Sequence, residues 1–195
     1  MKTLIDYYDD FAEKWAETWY ANEMLLPYLK EFVSLLPSNA KVLDLCCGAG
    51  YESMRLSKLG VNVVGADLSE NSIQLAKKYN PQLNFYVKDM LKSYADLGVF
   101  DGVACIAGVV HLPEEKLELA FKNMHEVVVD GGYLLLVLRN GNQITKSIDV
   151  DGIQYAREFY CYTLDKINEK IGNYFNLFKE LHSADDWRYY IFKKK

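Results

Sequence analysis

Apolar residues recur at helical spacing along residues 8–36. Phe11, Trp15 and Trp19 form one stripe, and Leu25, Leu29, Phe32, Val33 and Leu36 form another. The pattern predicts two amino-terminal helices, the second stopped by Pro37-Ser38-Asn39. From residue 41 the rhythm changes. Short β-leaning runs at 41–45, 61–66, 83–87, 102–106 and 133–138 alternate with helical stretches at 51–59, 69–79 and 117–128. Gly60 is the expected C-cap of the first of these helices, and Ser69 the expected N-cap of the second. The strand runs are apolar without polar alternation, which suits strands covered on both faces of a parallel sheet. Strands and helices in this order predict an α/β, doubly wound architecture. Beyond residue 138 the pattern shifts again. Asp151-Gly152, between Ile148/Val150 and Ile153/Tyr155, predicts a hairpin. Thr163 is set to cap a helix over 164–171, with strands near 175–178 and 189–192 to follow.

The 195 residues fit one domain spanning 1–195. Residues 1–37 are read as a helical cap and 139–162 as a candidate hairpin lid. Lys and Arg number 22 against 27 Asp and Glu, a formal charge of −5, which argues against a nucleic-acid partner. The longest apolar runs fall far short of the roughly 18 residues that span a bilayer, so no membrane partner is expected. Residues 1–10 are mixed and acidic, unlike a signal peptide. The expected location is the cytoplasm, with four reduced cysteines.

Asp44, Asp67 and Asp89 stand at or just after the ends of three successive predicted strands, one strand–helix unit apart. In an open parallel sheet the carboxyl ends share one rim, where ligands bind, so the three carboxylates are expected to line one crevice. The first turn, Asp44-Leu45-Cys46-Cys47-Gly48-Ala49-Gly50, offers small residues that let a ligand approach the backbone. A dinucleotide fits this turn poorly. Ser53 stands where Gly or Ala is wanted, and Glu52 would face the pyrophosphate at the helix start. A phosphate-free nucleoside carrying positive charge fits better, with Asp67 accepting the ribose hydroxyls.

Residues 42–50 together with Val63-Val64-Gly65-Ala66-Asp67-Leu68-Ser69 resemble the first two motifs of class I S-adenosylmethionine-dependent methyltransferases. Phe100-Asp101-Gly102-Val103-Ala104-Cys105-Ile106, followed by Val109-Val110-His111-Leu112, resembles the family's fourth-strand motif, and Asp130-Gly131-Gly132 precedes a matching fifth strand. The resemblance implies a Rossmann-like, mostly parallel seven-stranded sheet with an antiparallel strand near one edge, plus the amino-terminal helices. It also implies S-adenosyl-L-methionine as cofactor. Asp44 belongs to the binding motif, and Cys46, Gly48 and Gly50 would line the methionine part. Asp67 would hold the ribose, with Leu68 against the adenine. Asp89 would accept from the adenine amino group, with Met90 beside it, and the backbone near Ile106 and Ala107 would meet the methionine ammonium. Cys46 departs from the family's usual Gly: its side chain either crowds the turn or points away. Tyr8, Ala12 and Trp15 match an amino-terminal helix whose first aromatic reaches the cofactor; ordinary helix packing accounts for them equally well.

Other chemistry is thinner. The cysteines lack paired C-x-x-C spacing and partnering histidines, so they read as buried thiols and no metal is expected. His111 follows the fourth strand and is either a general base for an acceptor or a packing residue of the crevice. His125 is placed inside a helix, His182 in a late loop, and Asp101 in a turn before the fourth strand. Arg139 and Asn140 leave the fifth strand at the reaction rim. Tyr155, Arg157, Phe159 and Tyr160 are assigned to the hairpin's return strand; Arg139, Arg157 and Tyr160 are candidates to touch the acceptor, against the plainer reading of an edge ribbon. The family's Asn/Asp-Pro-Pro-aromatic tetrapeptide is absent, which with the acidic charge favours a small-molecule acceptor. The expected activity is methyl transfer by in-line displacement. The alternatives are a non-catalytic cofactor-binding scaffold and, disfavoured by Glu52 and Ser53, an NAD-dependent oxidoreductase.

Overall fold

The computed structural model describes residues 1–181 and 186–195; His182 therefore lies outside the described residues. The chain opens with α1 (Leu4–Asp10), α2 (Ala12–Tyr20) and α3 (Leu26–Ser34). The two helices expected over 8–36 are thus three, beginning earlier. Thr3 starts α1 with a capping box: its hydroxyl accepts from the Asp6 amide, and the Asp6 carboxylate accepts from the Thr3 amide. Phe11, at φ −109° and ψ 13°, interrupts the helical backbone between α1 and α2, although its spacing with Trp15 and Trp19 reads as continuous.

The alternating region follows as β1 (Lys41–Leu45), α4 (Tyr51–Lys58), β2 (Asn62–Asp67), α5 (Glu70–Tyr79), β3 (Asn84–Val87), β4 (Phe100–Ile106), α6 (Glu114–Val127) and β5 (Val128–Arg139). Ser69 caps α5 by accepting from the Ser72 amide, as expected. Strand β4 starts two residues before its predicted position. Asp101, expected in a turn, is a strand residue whose carboxylate accepts from the Lys41 amide at 2.8 Å, far from the ligand rim. Strand β5 begins at Val128 and passes a register shift near Gly131, at φ +76°, before its apolar run.

The segment after β5 departs most from expectation. Two short ribbons form there: β6 (Ile144–Thr145) pairs with β9 (Phe159–Tyr160), and β7 (Ile148–Val150) pairs with β8 (Ile153–Tyr155). The Asp151-Gly152 hairpin is present, with both residues at positive φ. Its return strand ends at Tyr155, so Arg157, Phe159 and Tyr160 do not belong to it. Beyond Tyr155 the chain turns to the amino terminus: the Ala156 amide donates to the Lys2 carbonyl at 2.7 Å. Helix α7 (Leu164–Ile171), capped by Thr163, leads to β10 (Phe175–Leu181) and β11 (Trp187–Lys194).

Among the described residues the main sheet has seven strands in the order β10-β11-β5-β4-β1-β2-β3. All neighbours from β5 to β3 are parallel, while β11 runs antiparallel between β5 and β10. The expected Rossmann-like architecture is therefore present. Leu43, Val103, Leu134 and Leu136 lie in the sheet's centre, buried between helices. Because β1 connects outward to β2 while β4 lies on its other side, the chain reverses direction across the sheet at β1 and β4. The carboxyl ends of those two strands open the crevice that such a reversal makes.

Candidate active site

A cavity of about 420 Å³ lies at the carboxyl rim, under α1, α2 and the segment at 157–159. Strand register brings Asp44 beside Gly65 and Ala104, and Asp67 beside Val87. Asp44, Asp67 and Asp89 all line the cavity. The convergence expected from their spacing is what the structure has.

Each carboxylate is held differently. Asp44 is 1% exposed and accepts from the Ser53 hydroxyl at 2.6 Å. Burial pushes its carboxyl up to about 7, partly offset by Ser53 and reinforced by the nearby Asp67 charge. Asp67 takes the Gly48 amide on Oδ2 at 2.8 Å and the Ser69 amide on Oδ1 at 2.9 Å. Burial raises it too, with those amides pulling the other way. Two amides leave lone pairs on both oxygens for further donors. Asp89 accepts from the Leu91 amide at 2.9 Å. Glu52, a fourth acid at the rim, pairs through Oε1 with Arg55 at 3.0 Å, while its buried Oε2 has no partner. Burial pushes Glu52 up to about 7.

The turn after β1 needs left-handed backbone at Cys46, Gly48 and Gly50, with φ of 65°, 52° and 81°. A Cβ at Gly50 would also stand 2.9 Å from the Phe85 ring, so a side chain there is excluded twice over. Cys46 occupies this strained conformation with a side chain that points out of the turn. Its Sγ lies 2.6 Å from where a Cβ on Gly108 would be, close to the Cys105 thiol. Hydrogen bonding to Cys105 and burial hold the Cys46 thiol well above its ordinary range, so it is a neutral wall residue. Ala107, at the end of β4, also has positive φ, 55°. Two non-glycine residues in this region, side by side at strand ends on the cavity, mark a backbone shaped for a ligand.

The cover brings a second group of side chains. His111 Nδ1 lies 2.7 Å from the Glu158 carbonyl, which can only accept, so Nδ1 carries the proton. Nε2 then accepts from the Tyr8 hydroxyl at 2.7 Å. Burial, together with the Arg157 charge, holds His111 down to about 4 despite the Glu158 carbonyl, leaving the ring neutral with its lone pair engaged. Burial raises the Tyr8 phenol, with the Arg157 charge opposing.

Of the candidate residues read from the sequence, Tyr8, Trp15, Asp44, Cys46, Gly48, Asp67, Leu68, Asp89, Met90, Ile106, Ala107, His111 and Arg157 line the cavity. Gly50 acts behind the wall, as the first residue before α4. Arg139 and Tyr160 are not brought in. Arg139 pairs with Asp186 at 3.2 Å on the surface, and Tyr160 turns its hydroxyl to Glu158 at 2.6 Å. Trp19 of the amino-terminal stripe also lines the cavity, as do Tyr51, Trp187 and Tyr189, which no motif points to. Trp187 and Tyr189 share one face of β11 by their two-residue spacing, a signal that needs the strand's neighbours before it points anywhere.

These walls fit a cationic nucleoside. They combine a turn of small residues in left-handed backbone, an Asp67 with lone pairs to spare, an unpartnered Glu52 oxygen and the buried Trp15 Nε1, which has no acceptor. A family model described as a methyltransferase domain matches residues 42–132. The ubiquinone biosynthesis O-methyltransferase of Xanthomonas axonopodis pv. citri is 27% identical over 164 residues, covering 77% of this chain and 66% of its own length. The chain thus spans just under two thirds of that relative. Among solved structures, the PH0226 protein of Pyrococcus horikoshii superposes with a TM-score of 0.76 at 23% identity, over 89% of both chains. A TehB-like SAM-dependent methyltransferase from Corynebacterium glutamicum gives 0.75 at 21%, over 97% of this chain and 99% of its own. The chain thus carries a methyltransferase-domain match over residues 42–132, laid on a fold similar to that of solved S-adenosylmethionine-dependent methyltransferases.

Proposed function

We propose that the protein binds S-adenosylmethionine in this cavity and transfers its methyl group to a small-molecule acceptor in the cytoplasm. The observation that carries the reading is the convergence of Asp44, Asp67 and Asp89 on one rim beside a turn of left-handed backbone. S-Adenosylmethionine, when bound, supplies an electrophilic methyl group on a sulfonium, so the displacement needs little help beyond alignment. The chain's own residues hold the parts. Asp67 takes the ribose diol, Leu68 and Met90 flank the base, and Asp89 accepts from its amino group. The turn at Cys46 and Gly48 and the backbone at Ile106 and Ala107 hold the methionine end. The buried acids Asp44 and Glu52 favour a ligand that brings positive charge. Tyr8, Trp15 and His111 close the other side against water. The relative's O-methyltransferase name and the net charge of −5 support a small acceptor; among the described residues no helix is long and apolar enough to cross a membrane.

Titration calorimetry with S-adenosylmethionine and S-adenosylhomocysteine tests this. Saturable heat in the micromolar range is expected for both. Folded protein that gives no heat at high micromolar ligand would sink the proposal.

A further inference from the structure

Arg157 is out of balance with its surroundings. Its guanidinium lies in an aromatic enclosure, with Cζ 5.0 Å from the Tyr7 ring, 5.4 Å from Phe159 and 6.0 Å from Tyr8. Its Nε is buried and has no hydrogen-bond partner. Among the described residues no carboxylate pairs with it, whereas Lys88, the other basic residue on the cavity wall, is paired with Asp96 at 2.6 Å. Arg157 is half-buried, and the aromatic faces recover only about 0.5–2 kcal/mol of what its partial desolvation costs. A planar fork with a free Nε is shaped to take two oxygens side by side.

The cavity is also divided. Asp44, Asp67 and Asp89 belong to the ends of β1, β2 and β3. Arg157 sits over the other half, where Phe159 packs edge-on against His111 after β4, with ring centroids 5.6 Å apart, and against Trp187 of β11 at 6.2 Å. Val137, Trp187 and Tyr189 make that half apolar and aromatic. Neutral His111, whose lone pair already accepts from Tyr8, offers no strong base there.

We propose that Arg157 is the carboxylate seat of the acceptor half, so that the methyl acceptor is a compact, largely apolar molecule carrying a carboxylate. The inference rests on the methyl-transfer reading. The carboxylate is the handle and a different atom of the acceptor is the nucleophile, because a guanidinium held against the attacking atom would withdraw the electron density it needs. Forming the pair satisfies Nε and places a negative charge where the chain leaves a positive one.

The test uses the full chain saturated with S-adenosylhomocysteine, titrated with benzoate and 2-naphthoate and with their neutral amides, benzamide and 2-naphthamide. Fluorescence of Trp15, Trp19 and Trp187 at the cavity reports binding. The carboxylates are expected to bind at least about tenfold more tightly than the amides. Arg157→Gln should erase that preference and Arg157→Lys should keep part of it, with S-adenosylhomocysteine affinity within about threefold of the parent in both. Equal binding of acid and amide, no saturation by either acid, or a preference that survives Arg157→Gln overturns the inference. So does an Arg157→Gln variant that loses about tenfold in S-adenosylhomocysteine affinity, which would assign Arg157 to the cofactor's own carboxylate. A parent chain that fails to bind S-adenosylhomocysteine overturns the methyl-transfer reading itself; loss of the acid preference alone leaves that reading standing.

Discussion

The cavity has two unlike sides. The rim is made by the ends of strands whose neighbours are fixed by ladder hydrogen bonds and by side chains buried on both faces. The cover is made by α1, α2 and the two ribbons after β5, fastened by a few polar contacts. On the rim a residue's place follows from counting along a strand. In the cover it follows from which side chain meets which across more than a hundred residues, as with Tyr8 and His111. On the proposed reading, the rim is the rigid holder of the cofactor and the cover is the part free to vary with the acceptor.

The sharpest separation is in stability. Leu43 is fully buried in β1, between β2 and β4. Leu43→Ala should cost about 2–5 kcal/mol in urea unfolding with an unchanged slope, because both the burial and the filled space are lost. A loss under about 1 kcal/mol would mean that the rim is no firmer than its cover.

In binding, the rim should again dominate. Asp67→Ala removes the acceptor from the Gly48 and Ser69 amides as well as from the ribose. S-Adenosylhomocysteine affinity should fall at least about tenfold by calorimetry, or about 1.4 kcal/mol. Unchanged affinity would remove the ribose role from Asp67.

The same contrast decided what could be read without coordinates. Period and order placed the strands, and strand ends placed Asp44, Asp67 and Asp89 on one rim. The positive φ at Cys46 explains why glycine suits that position, yet only the structure shows its side chain turning toward Gly108 and Cys105. In the cover, alternation assigned Arg157 and Tyr160 to a single strand. The chain instead leaves that strand at Tyr155 to pair with Lys2, a contact with no local signature, and the two residues part ways. Trp187 and Tyr189 reach the cavity because β11 inserts beside β5, which is a fact of topology rather than of pattern.

Proton binding gives the two sides opposite signs. Burial pushes Asp44 up to about 7 on the rim and holds His111 down to about 4 in the cover. Between about pH 5 and 6.5 the folded chain keeps a proton on Asp44 that the unfolded chain releases. Stability from that group is present at low pH and is lost as pH rises toward 7. His111 does the reverse: the unfolded chain takes a proton that the folded chain refuses, so its contribution is lost as pH falls through the same window. Each moves the slope of stability against pH by at most about 1.4 kcal/mol per unit. Relative to the parent, Asp44→Asn should make that slope more positive and His111→Phe should make it more negative, measured by urea unfolding at several pH values. Shifts of the same sign would show that the two sides do not differ in this way.

The smallest effect tests how loosely the cover is attached. Asp9 in α1 accepts from the Ser69 hydroxyl at 2.5 Å and from the Asn71 amide at 3.2 Å, so one carboxylate ties the cover to the start of α5, just past Asp67. These contacts are partly exposed to water, and Asp9→Ala should cost no more than about 1 kcal/mol of global stability. Its consequence should be local. Amides of α1 and α2 should exchange with deuterium faster while those of β1 and β4 do not, and S-adenosylhomocysteine should dissociate faster from a site whose rim is intact. Exchange that rises equally across β1 and β4 would show cover and rim opening as one unit, and the amino-terminal helices could then not serve as a separate lid.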